Sequence, residues 1–74
     1  MLEDLKREFY DYEIAEVAIG MFNVLKDLFS FVVVAKIGNK YFVMKRKNDG
    51  YDLTVADDTN EMIDVIKDYF TATG

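Results

Sequence analysis

The chain has no cysteine, no histidine, no proline and no tryptophan, and Ser30 is its only serine. Without cysteine there is no disulfide framework, no thiolate metal site and no thiol nucleophile, a usage that fits a reducing compartment. Without histidine there is no catalytic triad, no imidazole ligand and no imidazole base. Ser30 lies in Phe29-Ser30-Phe31 and lacks the Gly-x-Ser-x-Gly elbow of a hydrolase nucleophile. The glycines at 20, 38, 50 and 74 form neither a phosphate loop nor a dinucleotide fingerprint. Asn48-Asp49-Gly50 superficially suggests a calcium loop. Setting Gly50 at its glycine position, however, puts Lys45 and Lys47 where acidic ligands belong. No apolar run is long enough to span a bilayer, which takes about 20 residues. The uncharged stretch from Ile14 to Leu25 is broken by Glu16. The opening Met-Leu-Glu-Asp-Leu-Lys is amphipathic rather than a basic segment before an apolar one, so no signal peptide is expected. These absences lead to an expectation of no enzymatic activity, no cofactor, no metal and no membrane partner, in a cytoplasm.

What is present suggests a folded interaction protein. Seventy-four residues at 51% hydrophobic, with six Phe and five Tyr, are too apolar for disorder and point to a single domain over residues 1–74. Net charge is −5, from fourteen acidic and nine basic side chains. That sign opposes non-specific nucleic-acid binding, which needs cations to displace counterions. It leaves open a protein that occupies a site built for nucleic acid, beside the plainer reading that moderate acidity keeps a small protein soluble.

Residues 2 to 29 read as one helix. Leu2, Leu5, Phe9 and Tyr12 recur at helical spacing, and a second stripe runs through Ala15, Ala18 or Ile19, Phe22, Leu25 and Phe29. A straight helix of that length would run about 42 Å and overhang a small domain, so either it breaks near Tyr10 to Glu13 or its first turns project. Phe31 to Ile37 reads as a strand, followed by a Gly38-Asn39 turn of type II′ and a second strand from Lys40 to Lys47. Asn48-Asp49-Gly50 signals another hairpin, turning at Asp49-Gly50, with Tyr51 to Ala56 as its third strand. Asp58-Thr59-Asn60-Glu61 reads as a capping box opening a helix to about Thr71, with Met62, Ile63, Ile66, Tyr69 and Phe70 on its apolar face. The expected fold is α+β: a three-stranded antiparallel meander flanked by a long N-terminal helix and a C-terminal helix, in the order α-β-β-β-α.

Pairing through these turns sorts the strand residues onto two faces. One holds Phe31, Val33, Ala35, Ile37, Phe42, Met44, Tyr51, Leu53 and Val55 and is expected to be core. The other holds Val32, Val34, Tyr41 and Val43 beside Lys36, Lys45 and Lys47. The four apolar residues of this second face are a candidate partner- or self-binding patch, unless a helix covers them.

Charge supplies the remaining candidates. Glu8, Asp11 and Glu16 on the first helix and Asp57, Asp58, Glu61, Asp64 and Asp68 near or on the last would form an acidic ridge if the helices lie side by side. Asp57, Asp58 and Glu61 also suit capping and the positive end of the helix dipole better than they suit a cation site. Lys45-Arg46-Lys47 beside Tyr41 is a candidate nucleic-acid contact, set against the ordinary use of bases as solubilising hairpin residues.

The profile of small size, acidity and missing catalytic groups resembles that of small phage-encoded inhibitors, including anti-CRISPR proteins. The resemblance rests on no motif and assigns no site residue. It implies a protein target, a host nuclease or its nucleic-acid channel, and a host cytoplasm as the setting. The leading expectation is therefore an inhibitor or regulator that occupies a surface of a larger nucleic-acid-processing protein. The alternatives are a homodimer through the long helix or the Val32/Val34/Tyr41/Val43 face, and a nucleic-acid binder using the basic hairpin.

Overall fold

The computed structural model describes residues 1–73, the last by its backbone alone. A short helix α1 (Leu2–Glu8) leads into five strands, β1 (Glu13–Ala18), β2 (Met21–Asp27), β3 (Ser30–Ile37), β4 (Lys40–Lys47) and β5 (Gly50–Ala56), and then helix α2 (Thr59–Thr73). The strands form one antiparallel sheet in the order β1-β2-β3-β4-β5. The expected three-stranded meander and long first helix are thus replaced by a five-stranded meander with a seven-residue helix before it.

The difference lies between Glu13 and Phe29, where β1 and β2 stand in place of helix. From Ile14 to Leu25 only Glu16, Gly20 and Asn23 are not apolar, and such a segment satisfies a period of 3.6 and a period of 2 equally well. Its β-branched content favours the strand reading (Ile14, Val17, Ile19 and Val24). Gly20, at φ 74°, takes the left-handed turn position between β1 and β2 that other residues avoid. The chain does break between Phe9 and Tyr12, where turns replace helix, but the next element is a hairpin. The β2–β3 turn carries no glycine or proline. It is held instead by Asp27, whose Oδ1 accepts the Phe29 N–H at 2.8 Å, leaving Leu28 and Phe29 exposed at the tip.

The later elements form as their residues dictate. Ile37 pairs with Lys40 and Val34 with Val43, so Gly38-Asn39 is the turn. Gly38 has φ 63° and, among the described residues, none other than glycine has a positive φ, as a II′ turn requires. In the last hairpin Lys47 pairs with Gly50 and Met44 with Leu53, which moves the turn to Asn48-Asp49. The shift changes register by an even number of residues, so every side chain keeps its face. Asp58 caps α2, its Oδ1 accepting the Glu61 N–H at 2.8 Å, while Glu61 reaches back to the Asp57 N–H at 3.2 Å.

The two faces, however, exchange their expected roles. α2 lies over β3, β4 and β5, and α1 packs beside α2. Beneath them Phe22, Val24, Val32, Val34, Tyr41, Val43 and Ala56 meet Leu5, Phe9, Met62, Ile63, Ile66, Tyr69 and Phe70 in a single core. Val32, Val34, Tyr41 and Val43 are therefore monomer core, with both Val32 and Val34 at 0% exposure. The small β-branched side chains make a flat bed for a helix. The tyrosine hydroxyls at this contact also find partners: that of Tyr41 on β4 lies 3.0 Å from Thr59 Oγ1, and that of Tyr69 on α2 donates to the Arg46 carbonyl.

Glu8 joins the two helices. Its carboxylate sits 2.7 Å from Lys67 Nζ, and that hydrogen bond and charge, with a smaller contribution from Arg7, hold it below its ordinary value of 4.5. The unfolded chain therefore takes up this proton first, so the contribution to stability is present above about pH 4.5 and fades below it. Thermal melts should show a midpoint falling below that pH, and Glu8→Gln should flatten this part of the profile.

Candidate functional site

The face expected to be core is open. Its outward side chains align in rows across the sheet. Ala15, Asn23, Val33, Met44 and Leu53 form the middle row. Met21, Ala35, Phe42 and Val55 flank it on one side, and Glu13, Leu25, Phe31, Arg46 and Tyr51 on the other. No helix crosses this surface: both lie on the opposite side of the sheet. Leu53, Tyr51 and Ile37 are each about 60% exposed and Val55 is exposed as well, while Val33, Phe42 and Met44 are shielded only by their neighbours. A solvated face of an antiparallel sheet ordinarily carries polar side chains. Here, Asn23 is the one polar residue of the middle row, and its Oδ1 is sealed within the chain without a hydrogen-bond partner.

Charge is confined to the margin of this face. Arg46 stacks over Tyr51, its guanidinium 5.6 Å from the ring centroid, and donates to the carbonyls of Lys47 and, at 3.2 Å, Gly50. Glu13 stands on β1, at the opposite edge of the same row, exposed and in no ion pair among the described residues. Lys40 pairs with Asp57, which raises the Lys40 pKa above its ordinary value.

The eight candidate acidic residues are dispersed. Glu8 lies on α1 and is paired with Lys67, Asp11 is in the turn before β1, and Glu16 is on β1 rather than on a helix. Asp57 is taken by Lys40, while Asp58 and Glu61 cap α2. Asp64 and Asp68 remain as exposed carboxylates one turn apart on α2. α1 and α2 do pack together, but only Glu8 and Asp57 of the eight meet a base, Asp58 and Glu61 turn to backbone N–H groups, and Asp11 and Glu16 lie off the helices, which leaves a short acidic strip on α2 instead of a ridge. Among the described residues no group of three acidic side chains is placed to hold a metal ion.

The basic hairpin is similarly occupied. Lys45 Nζ lies 2.6 Å from Thr54 Oγ1 and 3.2 Å from Asp52, and Lys47 lies over the Tyr69 ring. Arg46 points to the open face, so the three bases do not make one surface. A groove of about 410 Å³ runs between the α1–β1 turn and the end of α2, lined in part by Phe9, Tyr12 and Phe70, with the Glu8–Lys67 pair across it. No described helix is long and apolar enough to cross a membrane.

No protein-family model, no curated protein and no solved structure matches this chain.

The signal for the open face is present in the residues. Phe31, Val33, Phe42, Met44, Leu53 and Val55 share it by period-two alternation. Alternation alone does not say that this face points outward.

Proposed function

We propose that this chain is a protein–protein interaction module, an inhibitor or regulator of a larger nucleic-acid-processing protein, acting in a cytoplasm through surface contact and without chemistry of its own. The observation that carries the binding role is the uncovered apolar sheet face. An exposed apolar surface of several hundred Å² is rare on a protein that acts alone, because water disfavours it, and it commonly marks an interaction site. The second contact surface is the outer side of α2, where Asp64 and Asp68 add to a net charge of −5. Carboxylates on a rigid helix suit the cationic wall of a nucleic-acid channel and steer approach to it. The hairpin bases support direct nucleic-acid binding less well, being engaged within the chain.

The test is a binding and inhibition assay against purified nucleic-acid-processing enzymes from the system that encodes the chain. Wild-type protein is expected to bind and inhibit one of them, and Asp64→Lys with Asp68→Lys to weaken this by about tenfold or more at low salt. Wild-type protein that binds and inhibits none of them would remove the inhibitor reading.

A further inference from the structure

Resting on the reading of the open face as a binding surface, we infer that its occupant is a second copy of this chain, packed face to face as a two-layer sandwich with both helical layers outward. The edges of the sheet direct association to the face. β1 carries Glu13 and Glu16 and a register shift between Glu16 and Ala18, while β5 carries Asp52 and is followed by Asp57. Charges and a bulge on an edge strand are devices that block pairing with a further strand.

The area is sufficient. Five strands at about 4.8 Å spacing, each presenting outward side chains over about 17–20 Å, give a planar footprint of about 400–480 Å². Side-chain relief raises the accessible area buried to about 600 Å² per copy, or ~1,200 Å² in total, which reaches the range of specific, stable interfaces. The extents of the molecule, 29 × 23 × 21 Å, accommodate a face of this size. A flat apolar sheet finds its best complement in another such sheet about 10 Å away.

Charge then selects the orientation. Two identical faces stack only through a two-fold axis lying in the plane between them. An axis along β3 keeps each row at its own level while exchanging the edges, so β1 of one copy lies over β5 of the other, and β2 over β4. Glu13 of one copy then stands over the Tyr51–Arg46 end of the same row in the other, twice by symmetry. An axis across the strands instead lays the Glu13–Arg46 row over the row of Met21, Ala35, Phe42 and Val55, leaving all four charges against apolar side chains. The first arrangement is the one the residues fit.

Sedimentation or light scattering of the full chain at micromolar to millimolar concentration tests this directly. Wild-type protein is expected at twice 8.6 kDa. Val33→Lys at the centre of the face, and independently Leu53→Lys, should raise the dimer dissociation constant at least ~100-fold with far-UV circular dichroism unchanged. Glu13→Arg should weaken the dimer, and adding Arg46→Glu should restore part of the loss. A wild-type chain that stays monomeric throughout, or a dimer untouched by Val33→Lys and Leu53→Lys, overturns the second copy as occupant. If the chain is monomeric and Val33→Lys abolishes binding to its target enzyme, the second copy is excluded and the binding role of the face stands. If the chain is monomeric and no face substitution alters target binding, both fall.

Discussion

Val34→Lys is expected to abolish folding, whereas Val33→Lys, one residue earlier, should leave a folded chain. The two side chains leave β3 in opposite directions. Val34 is fully buried, paired across the sheet with Phe22 and Val43 beneath α2. An ammonium placed there has no carboxylate to meet it, and an unpaired buried charge of this kind costs at least about 4 kcal/mol. A domain of this size has little more than that to lose, since total stabilities run about 5–15 kcal/mol. Val33, between Asn23 and Met44 on the open face, can extend a lysine into solvent at a cost to the single chain of about 1 kcal/mol or less. Circular dichroism with urea titration distinguishes them: no cooperative transition for Val34→Lys, and for Val33→Lys a cooperative transition that matches the wild type at concentrations low enough for both to be monomeric. The reverse pattern would mean that the helices cover the other face.

The second large effect is expected at Phe70. Its ring lies 4.6 Å from Tyr12, 6.1 Å from Phe9 and 5.1 Å from Tyr69, measured between centroids. Phe70→Ala removes the centre of this cluster and should cost about 3–5 kcal/mol. The loss is not spread evenly. α1 has only seven residues, while an isolated helix needs about 12–15 to be even marginally stable in water. It is held by Leu5 and Phe9 in the core and by the Glu8–Lys67 pair. Without Phe70, α1 should detach before the sheet unfolds. Trypsin cleavage after Lys6 and Arg7 should then become fast at temperatures where the sheet signal persists. Tyr10→Ala, at a position 79% exposed, serves as the control and should change neither measurement.

How far the residues alone reveal this molecule varies along the chain. The β3–β4 hairpin is legible because Gly38-Asn39 leaves the chain one low-strain turn, and because β-branched residues surround it. α2 is legible because Asp58 and Glu61 cap it before an apolar stripe of helical period. The β1–β2 hairpin is not, since Ile14 to Leu25 is apolar at all but Glu16, Gly20 and Asn23 and no Asn or Asp marks the Ile19-Gly20 turn. Nor is the β2–β3 turn, where Leu28 and Phe29 occupy positions usually taken by turn-forming residues. With these two strands hidden, the first helix reads too long, and Glu16 falls on a helix instead of an edge strand.

The same distinction governs the binding surface. Alternation and turn chemistry determine, from the sequence alone, which side chains share a face of β3, β4 and β5. That assignment survives even the displaced turn at Asn48-Asp49, because an even shift in register returns each side chain to its own side. Alternation does not show which face the helices cover, because each carries an apolar cluster that would reward burial. Tertiary structure decides it. Asp57 and Asp58 join β5 to α2, and the helix lies on the side of the sheet where Ala56 is buried. On that side the valine bed and the Tyr41 hydroxyl receive it, which leaves Phe31, Val33, Phe42, Met44 and Leu53 facing outward.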